Sequence, residues 1–203
     1  EHYHTDIDVA QLFTEGRITG MTVQAPPTGM CTVAFPITAR DAVTLKDSDA
    51  PYFTSPTAAN TNGITASVNG TILFNGSTVG TVTGFNFGLQ MSVDSPPVVG
   101  QDIVPDIFLG RAVVTGQLTA LFEDDTFLAA FDDETEVSLM LMLTTTSSVN
   151  SEFIAFTMNR VKLNSADVPL QGEGGLPQTC GFQALIKASA TGFENTSLAI
   201  QDS

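Results

Sequence analysis

Positive charge is scarce in this sequence. Its 203 residues hold 7 Lys+Arg against 22 Asp+Glu, a formal net charge of −15 and a pI of ≈ 4.1. A chain with so few cations cannot grip nucleic-acid phosphates by counterion release, and it offers no polybasic anchor for an anionic membrane. Histidine is confined to His2 and His4, so most of the chain lacks a side chain that titrates near neutrality as a general base. No G-x-S-x-G, H-E-x-x-H or Walker-type loop occurs, and the residues point to neither an enzyme nor a cofactor. Trp is absent and Tyr is limited to Tyr3 and Tyr52; an adhesive or carbohydrate-binding β-sandwich would be expected to display an aromatic platform. No apolar run approaches the ~20 residues that cross a bilayer, and the polar start from Glu1 to Asp8 does not read as a signal peptide. A soluble chain is the expectation. Cys31 and Cys180 are too few for a disulfide scaffold and lack zinc or redox spacing, so two free thiols are expected over one bridge.

What the chain does have is enough apolar content for a core. It is 42% hydrophobic with a mean hydropathy of +0.17, and a chain of this length buries roughly 70% of its unfolded surface. Residues 1 to 62 lack a clear period and are rich in Pro and Thr. Short strands are predicted over Arg17 to Val23 and Cys31 to Phe35, with a loop or extended arm over Lys46 to Asn62. From Gly63 the period becomes two, with turn residues between the runs, the pattern of antiparallel β structure. Asn75-Gly76 is the expected hairpin turn, preferred over Asn69-Gly70 because Asn and Gly tolerate the positive φ of a type I′ turn and the two dipeptides stand too close to bound separate hairpins.

The alternation is cleanest between Thr81 and Asp94. Phe85, Phe87, Leu89, Met91 and Val93 point one way, and Asn86, Gly88, Gln90, Ser92 and Asp94 the other. Arg111 to Glu123 repeats the pattern, with Val114, Leu118, Ala120 and Phe122 on one face and Arg111, Thr115, Gln117 and Thr119 on the other. Between them, Ser95 to Gly110 is far longer than a hairpin loop and carries Val98, Val99, Ile103, Val104, Ile107 and Phe108. Such a loop should dock on something, another subunit being the natural candidate. One short helix is predicted over Asp125 to Phe131, with Asp124 or Asp125 as cap and Phe127, Leu128 and Phe131 as its apolar stripe. Further strands are predicted over Glu136 to Thr145, Glu152 to Met158, Arg160 to Leu163, Gln178 to Ala190 and Asn195 to Gln201, with a turn at Ser147 to Asn150 and a loop at Leu170 to Gly175. The sum is an all-β protein, an antiparallel sandwich with one short helix at its edge.

Three patterns have a bland reading that suffices. His2, His4, Asp6 and Asp8 could face one side of an extended chain as metal ligands, but a terminus rarely holds a site, and no metal is expected. Glu123, Asp124, Asp125 and Asp132, Asp133, Glu134 flank the helix without EF-hand spacing and read as caps and solvated carboxylates. The sequons at Asn69, Asn75 and Asn195 are chance matches in a chain rich in Asn, Ser and Thr.

The stretch from about Thr65 to Gln201 resembles the tail tube proteins of long-tailed bacteriophages. The resemblance is carried by TVTGFNFGLQMSVD (Thr81 to Asp94), a long loop, LGRAVVTGQLTALFED (Leu109 to Asp124) leading into a short helix, ETEVSLMLMLTT (Glu134 to Thr145) and GFQALIKAS (Gly181 to Ser189). It implies a domain over 63 to 203 with residues 1 to 62 as an N-terminal extension, and a sandwich whose strands join a ring-wide β-barrel in stacked homo-hexameric rings. About 24 strands spaced ~4.8 Å and tilted ~40–45° close a backbone diameter of about 50 Å, wide enough for a DNA duplex. The protein would then be a virion component made in the host cytoplasm, with a tape measure protein, a tail tip or baseplate and a tail terminator as partners. DNA would pass through without specific binding, and no membrane would be involved. Asn86, Gln90, Ser92, Asp94, Thr115, Gln117 and Thr119 are the expected lumen-facing residues, in a wall both acidic and rich in hydroxyls and amides that repels phosphates. The loop residues Val98, Val99, Ile103, Val104, Ile107 and Phe108 are the expected inter-subunit or stacking contact. A tube subunit of a secretion or contractile injection system, type VI secretion included, shares the architecture. The adhesive sandwich is the reading from a different class.

Overall fold

The computed structural model describes residues 1–58, 63, 65–148, 150–169, 174–189 and 191–203. Two compact units share the chain. The first comprises residues 1–21, 35–62 and 90–112, the second 22–34, 63–89 and 113–203. The boundary expected at 62/63 is thus one of five places where the chain passes between units, and the long loop groups with the N-terminal residues.

The second unit holds most of one antiparallel sheet. Its path is β5 (Thr32–Ala34), β4 (Gly20–Ala25), β10 (Val82–Asp94), β11 (Phe108–Leu121), β14 (Pro177–Ala184), β13 (Phe153–Asp167), β12 (Val137–Thr144), β8 (Gly70–Phe74) and β9 (Ser77–Thr78), with β15 (Ala199–Asp202) also on β13. Alternation explains the burial. On β12 Val137, Leu139, Leu141 and Leu143 are buried, while Ser138, Met140, Met142 and Thr144 between them are half-exposed. The sheet curls until strands that are not neighbours touch. Phe87 of β10 meets Phe156 of β13 edge-on at 5.3 Å, and Phe85 stacks on Phe182 of β14 at 5.6 Å. Each such ring buried is worth ~1.5–3 kcal/mol, so a one-residue slip of β10 would forfeit several of these terms at once.

Asn75 (φ 50°) and Gly76 (φ 80°) form the tight turn between β8 and β9, and the Asn75 side-chain oxygen accepts a hydrogen bond from the Ser138 amide. Asn69 instead ends a 3-10 turn, Ser67–Asn69. The helix, α1, runs Thr126–Asp132; Asp124 Oδ1 accepts from the Thr126 amide at 3.0 Å, and Phe127 packs edge-on against Phe74. All-β architecture with one short α-helix is therefore what the described residues adopt.

Several boundaries differ from expectation for identifiable reasons. The two strands expected over 152–158 and 160–163 are the single strand β13. Its ladder with β12 shifts between Val137 and Leu139, so Asn159 and Arg160 bulge and the buried set changes parity from Phe156 and Met158 to Val161 and Leu163. Arg17 to Val23 breaks at Thr19 into β3 (Arg17–Ile18) and β4, because the Thr19 amide donates to Pro36 and its carbonyl accepts from Met91. β11 begins at Phe108 and ends at Leu121, leaving Phe122 exposed rather than on the buried face. The last two strands are shorter than expected, since β14 stops at Ala184 and a 3-10 turn at Gly192–Glu194 precedes β15. Residues 59–62, 149 and 170–173, parts of two expected loops and a turn, lie outside the described residues.

The first unit is thinner. It contains a three-stranded sheet of β1 (His2–His4), β2 (Val9–Thr14) and β7 (Asp41–Lys46), and a two-stranded ribbon of β3 with β6 (Ile37–Thr38). Glu1 accepts hydrogen bonds from the Tyr52 and Phe53 amides, and Tyr3 donates its hydroxyl to Asp8. β4, β10 and β11 each have residues in both units.

Candidate functional site

Two surfaces answer to the residues singled out in the sequence. The first is the polar face of β10, β11 and β14. In the second unit Asn86, Thr115 and Gln117 are exposed, and Thr119 is half-buried. The register of β11 on β14 places Thr115 opposite Gln183, Gln117 opposite Gly181 and Thr119 opposite Thr179. Residues directly opposite share a face, so Gln183 and Thr179 extend the polar surface by one strand. Thr119 and Thr179 share a hydrogen bond at 3.4 Å, and Thr83 donates to the Thr119 carbonyl. In the first unit Gln90, Ser92 and Asp94 continue the polar face of β10, all exposed.

Glycine is needed at two points in these strands, Gly116 on the buried face with Val114 and Leu118 and Gly181 on the polar face opposite Gln117. A Cβ at Gly116 would lie 2.3 Å from the Asn86 carbonyl and 2.5 Å from the Phe182 ring, and at Gly181 it would meet the Asn164 side chain at 2.3 Å. Gly181 stands opposite a second bulge in β13, between Leu163 and Ser165, and its amide donates to Ser165 Oγ. At Gly116 an added side chain would meet backbone, whereas at Gly181 the Asn164 side chain would have to move aside.

Thr179 and Gln183 were absent from the sequence-based set. The signal existed, because Gln178, Cys180, Phe182 and Ala184 alternate as buried partners. It was obscured by Gln178, a polar residue on the dry side whose side-chain amide makes no hydrogen bond to a described residue.

The second surface is the long loop, in the first unit. Val98, Val99, Ile103 and Phe108 are exposed, and Val104 is half-buried. Ile107 departs from the others: it is fully buried, 0% exposed, which makes it the loop's anchor in its own chain. Phe108 is already the first residue of β11. Two arginines fasten the segment. Arg17 pairs with Asp106 at 3.0 Å, while Arg40 donates through Nε to the Val104 carbonyl at 2.8 Å and pairs with Glu15. The N-terminal residues, of uncertain role in the sequence, thus hold the loop.

Ion pairs use four of the seven cations among the described residues; the other two pairs are Arg160 with Glu136 and Lys162 with Glu134. Their hydrogen bonds hold the Glu136 and Glu134 carboxyls below the usual glutamate range. Both cysteines are free; Cys31 lies 3.3 Å from Ser67 Oγ, and burial, with Asp167 nearby, pushes the Cys180 thiol up to about 11. Among the described residues no helix is long and apolar enough to cross a membrane.

The second unit's curled antiparallel sheet with its polar face and one short helix, and the first unit's arginine-fastened loop, make an all-β architecture among the described residues. The fold is shared with the tube-terminating cap of the anti-feeding prophage, solved by cryo-electron microscopy. The two agree with a TM-score of 0.53 over 75% of this chain and 99% of the cap, at 8% identity. The chain belongs to the phage tail tube protein family, whose sequence profile matches residues 2–184. That match takes in the N-terminal 60 residues as well as the strands that suggested it. No curated protein sequence matches the chain.

Proposed function

We propose that this chain is a structural, non-catalytic subunit that assembles with copies of itself into stacked hexameric rings, forming a phage tail tube through which DNA is delivered. The observation that carries the reading is the family match over residues 2–184, which includes both surfaces described above. In the ring, β10 and β11 contribute to a shared barrel with Asn86, Gln90, Ser92, Asp94, Thr115, Gln117 and Thr119 toward the lumen. The loop tip, Val98, Val99, Ile103 and Phe108, is covered by a neighbouring subunit. Barrel closure across subunits removes the sheet edges that an isolated copy leaves open. Residues 1 to 62 act as an extension that holds the loop through Arg17 and Arg40. A tape measure protein, a tip or baseplate and a terminator are the partners such a tube requires.

The likeness to a prophage cap favours one second reading, a tube subunit of a contractile injection system. Negative-stain microscopy of the concentrated protein tests both. Rings or tubes with an axial channel are expected, and a particle that stays monomeric at high concentration contradicts them. Deleting the tip Val98–Gln101 should leave a folded monomer that no longer polymerises, whereas unchanged assembly would exclude the loop as a contact.

A further inference from the structure

Resting on the tube reading, we infer that the channel wall built by this chain carries no net charge, and that it passes a polyanion by offering no net charge rather than by repelling it. The acidic wall expected from the net charge is not where the carboxylates lie. On β10, β11 and β14 within the second unit the polar outward side chains are Asn86, Thr115, Gln117, Thr119, Thr179 and Gln183, all hydroxyls or carboxamides, and Val113, Leu121 and Pro177, which share their face, are apolar. Residues 50–93 contain no Asp, Glu, Lys or Arg, nor do residues 112–122 or 174–186. β4 agrees: Thr22 and Gln24 are outward between buried Met21, Val23 and Ala25, in a stretch, 18–39, equally free of charge. Toward the loop, the exposed charged residues of β10 and β11 are Asp94 and Arg111, whose formal charges cancel.

Charge returns at the next strand. Lys162 of β13 lies opposite Gln183 and is paired with Glu134, and Asp167 lies opposite Thr179. Six of the 22 acidic residues lie around α1 instead, Glu123, Asp124 and Asp125 before it, Asp132 at its end and Asp133 and Glu134 after it, all exposed. A sheet face that met bulk water in a chain with 22 carboxylates would ordinarily carry long charged side chains. Second-unit stretches of three adjacent strands without one indicate a surface selected against fixed charge. For a moving phosphate backbone such a wall provides weak, interchangeable hydrogen bonds of one kind after another. An acidic wall would impose an entry barrier, and a basic wall would hold the cargo.

Tubes of the full chain and a short fluorescent DNA duplex as probe give the test, with tube formation confirmed by microscopy before DNA is added. Entry into wild-type tubes should change by less than about twofold between ~0.02 and ~0.5 M salt, because there is little wall charge to screen. Thr115→Asp with Gln117→Asp should lower entry at low salt by about tenfold and recover it at high salt. Thr115→Lys with Gln117→Lys should retain the duplex at low salt. Wild-type entry that rises about tenfold with salt overturns the inference while leaving the tube intact. Entry unmoved by the Asp pair removes this face from the channel. Should the Asp pair fail to polymerise, the wild-type salt series decides alone. Failure of wild-type tubes to form is a different result, seen earlier, and it contradicts the tube reading itself.

Discussion

The two units solve the problem of stability differently. The second buries Phe85, Phe87, Phe156 and Phe182 with leucines and valines from four strands, and on β10 and β11 its exposed face carries Asn86, Thr115 and Gln117. The first has few buried side chains, Ala10 and Ile107 among them, and exposes Phe13, Ile18, Phe35, Ile37, Val43 and Phe53. Ile18 and Ile37 stand opposite each other on the β3–β6 ribbon and are both more than half exposed. Polar fasteners from Arg17, Arg40 and Glu1 organise this unit in place of a core. One unit has a large core of its own, whereas the other has little core and keeps apolar surface of the kind an assembly would cover.

The comparison breaks first at the core. Phe156→Ala should destabilise the protein by about 3–5 kcal/mol, read by chemical denaturation, because the ring lies against Phe87 and the site cannot collapse. Phe13→Ala, with its ring half exposed, should cost about 0.5 kcal/mol or less yet weaken assembly. Equal losses for the two would erase the distinction.

Gly116→Ala comes next, at about 1–3 kcal/mol or more, since the added methyl meets backbone at 2.3 Å and the opposing ring at 2.5 Å. Gly80→Ala, where the same methyl meets nothing within 4 Å, is the control.

Smaller again is Arg40→Ala. It should cost about 0.5–1.5 kcal/mol and speed amide exchange at residues 103–107, while β12 and β13 keep their protection.

The smallest effect belongs to Glu136. Its carboxyl, held by Arg160 below the ordinary 4.5, adds stability above that value and loses it as pH falls through the lowered one. The melting temperature of Glu136→Gln should therefore lie slightly below that of the wild type at neutral pH and converge with it in acid. A gap that persisted or widened in acid would exclude the pair as its source. Because both side chains are well exposed, salt should narrow the gap.

How much of this was legible beforehand follows the same division. β10, β11, β12, α1 and the Asn75-Gly76 turn could be read because alternation, capping and turn chemistry are local signals, and in the second unit they agree with the burial. β13 was read as two strands because a bulge at Asn159-Arg160 reverses its parity, and a period-two reading treats a reversal as an end. In the first unit the organising contacts join residues 89 and 64 positions apart, Arg17 to Asp106 and Arg40 to Val104, which no local pattern contains. On the polar face, Thr179 and Gln183 emerged only once register with Thr119 and Thr115 was known. Net charge is a poor guide to any one face for a similar reason, because −15 is a sum and says nothing about which strands carry it.

A side-chain-resolution cryo-electron microscopy reconstruction of polymerised tubes tests the central claim most directly. Asn86, Thr115 and Gln117 should line the channel with no carboxylate beside them on β10, β11 or β14, and Val98 and Val99 should lie against a neighbouring subunit. A reconstruction with those three residues on the outer surface, or with the carboxylates around α1 facing the channel, would contradict it.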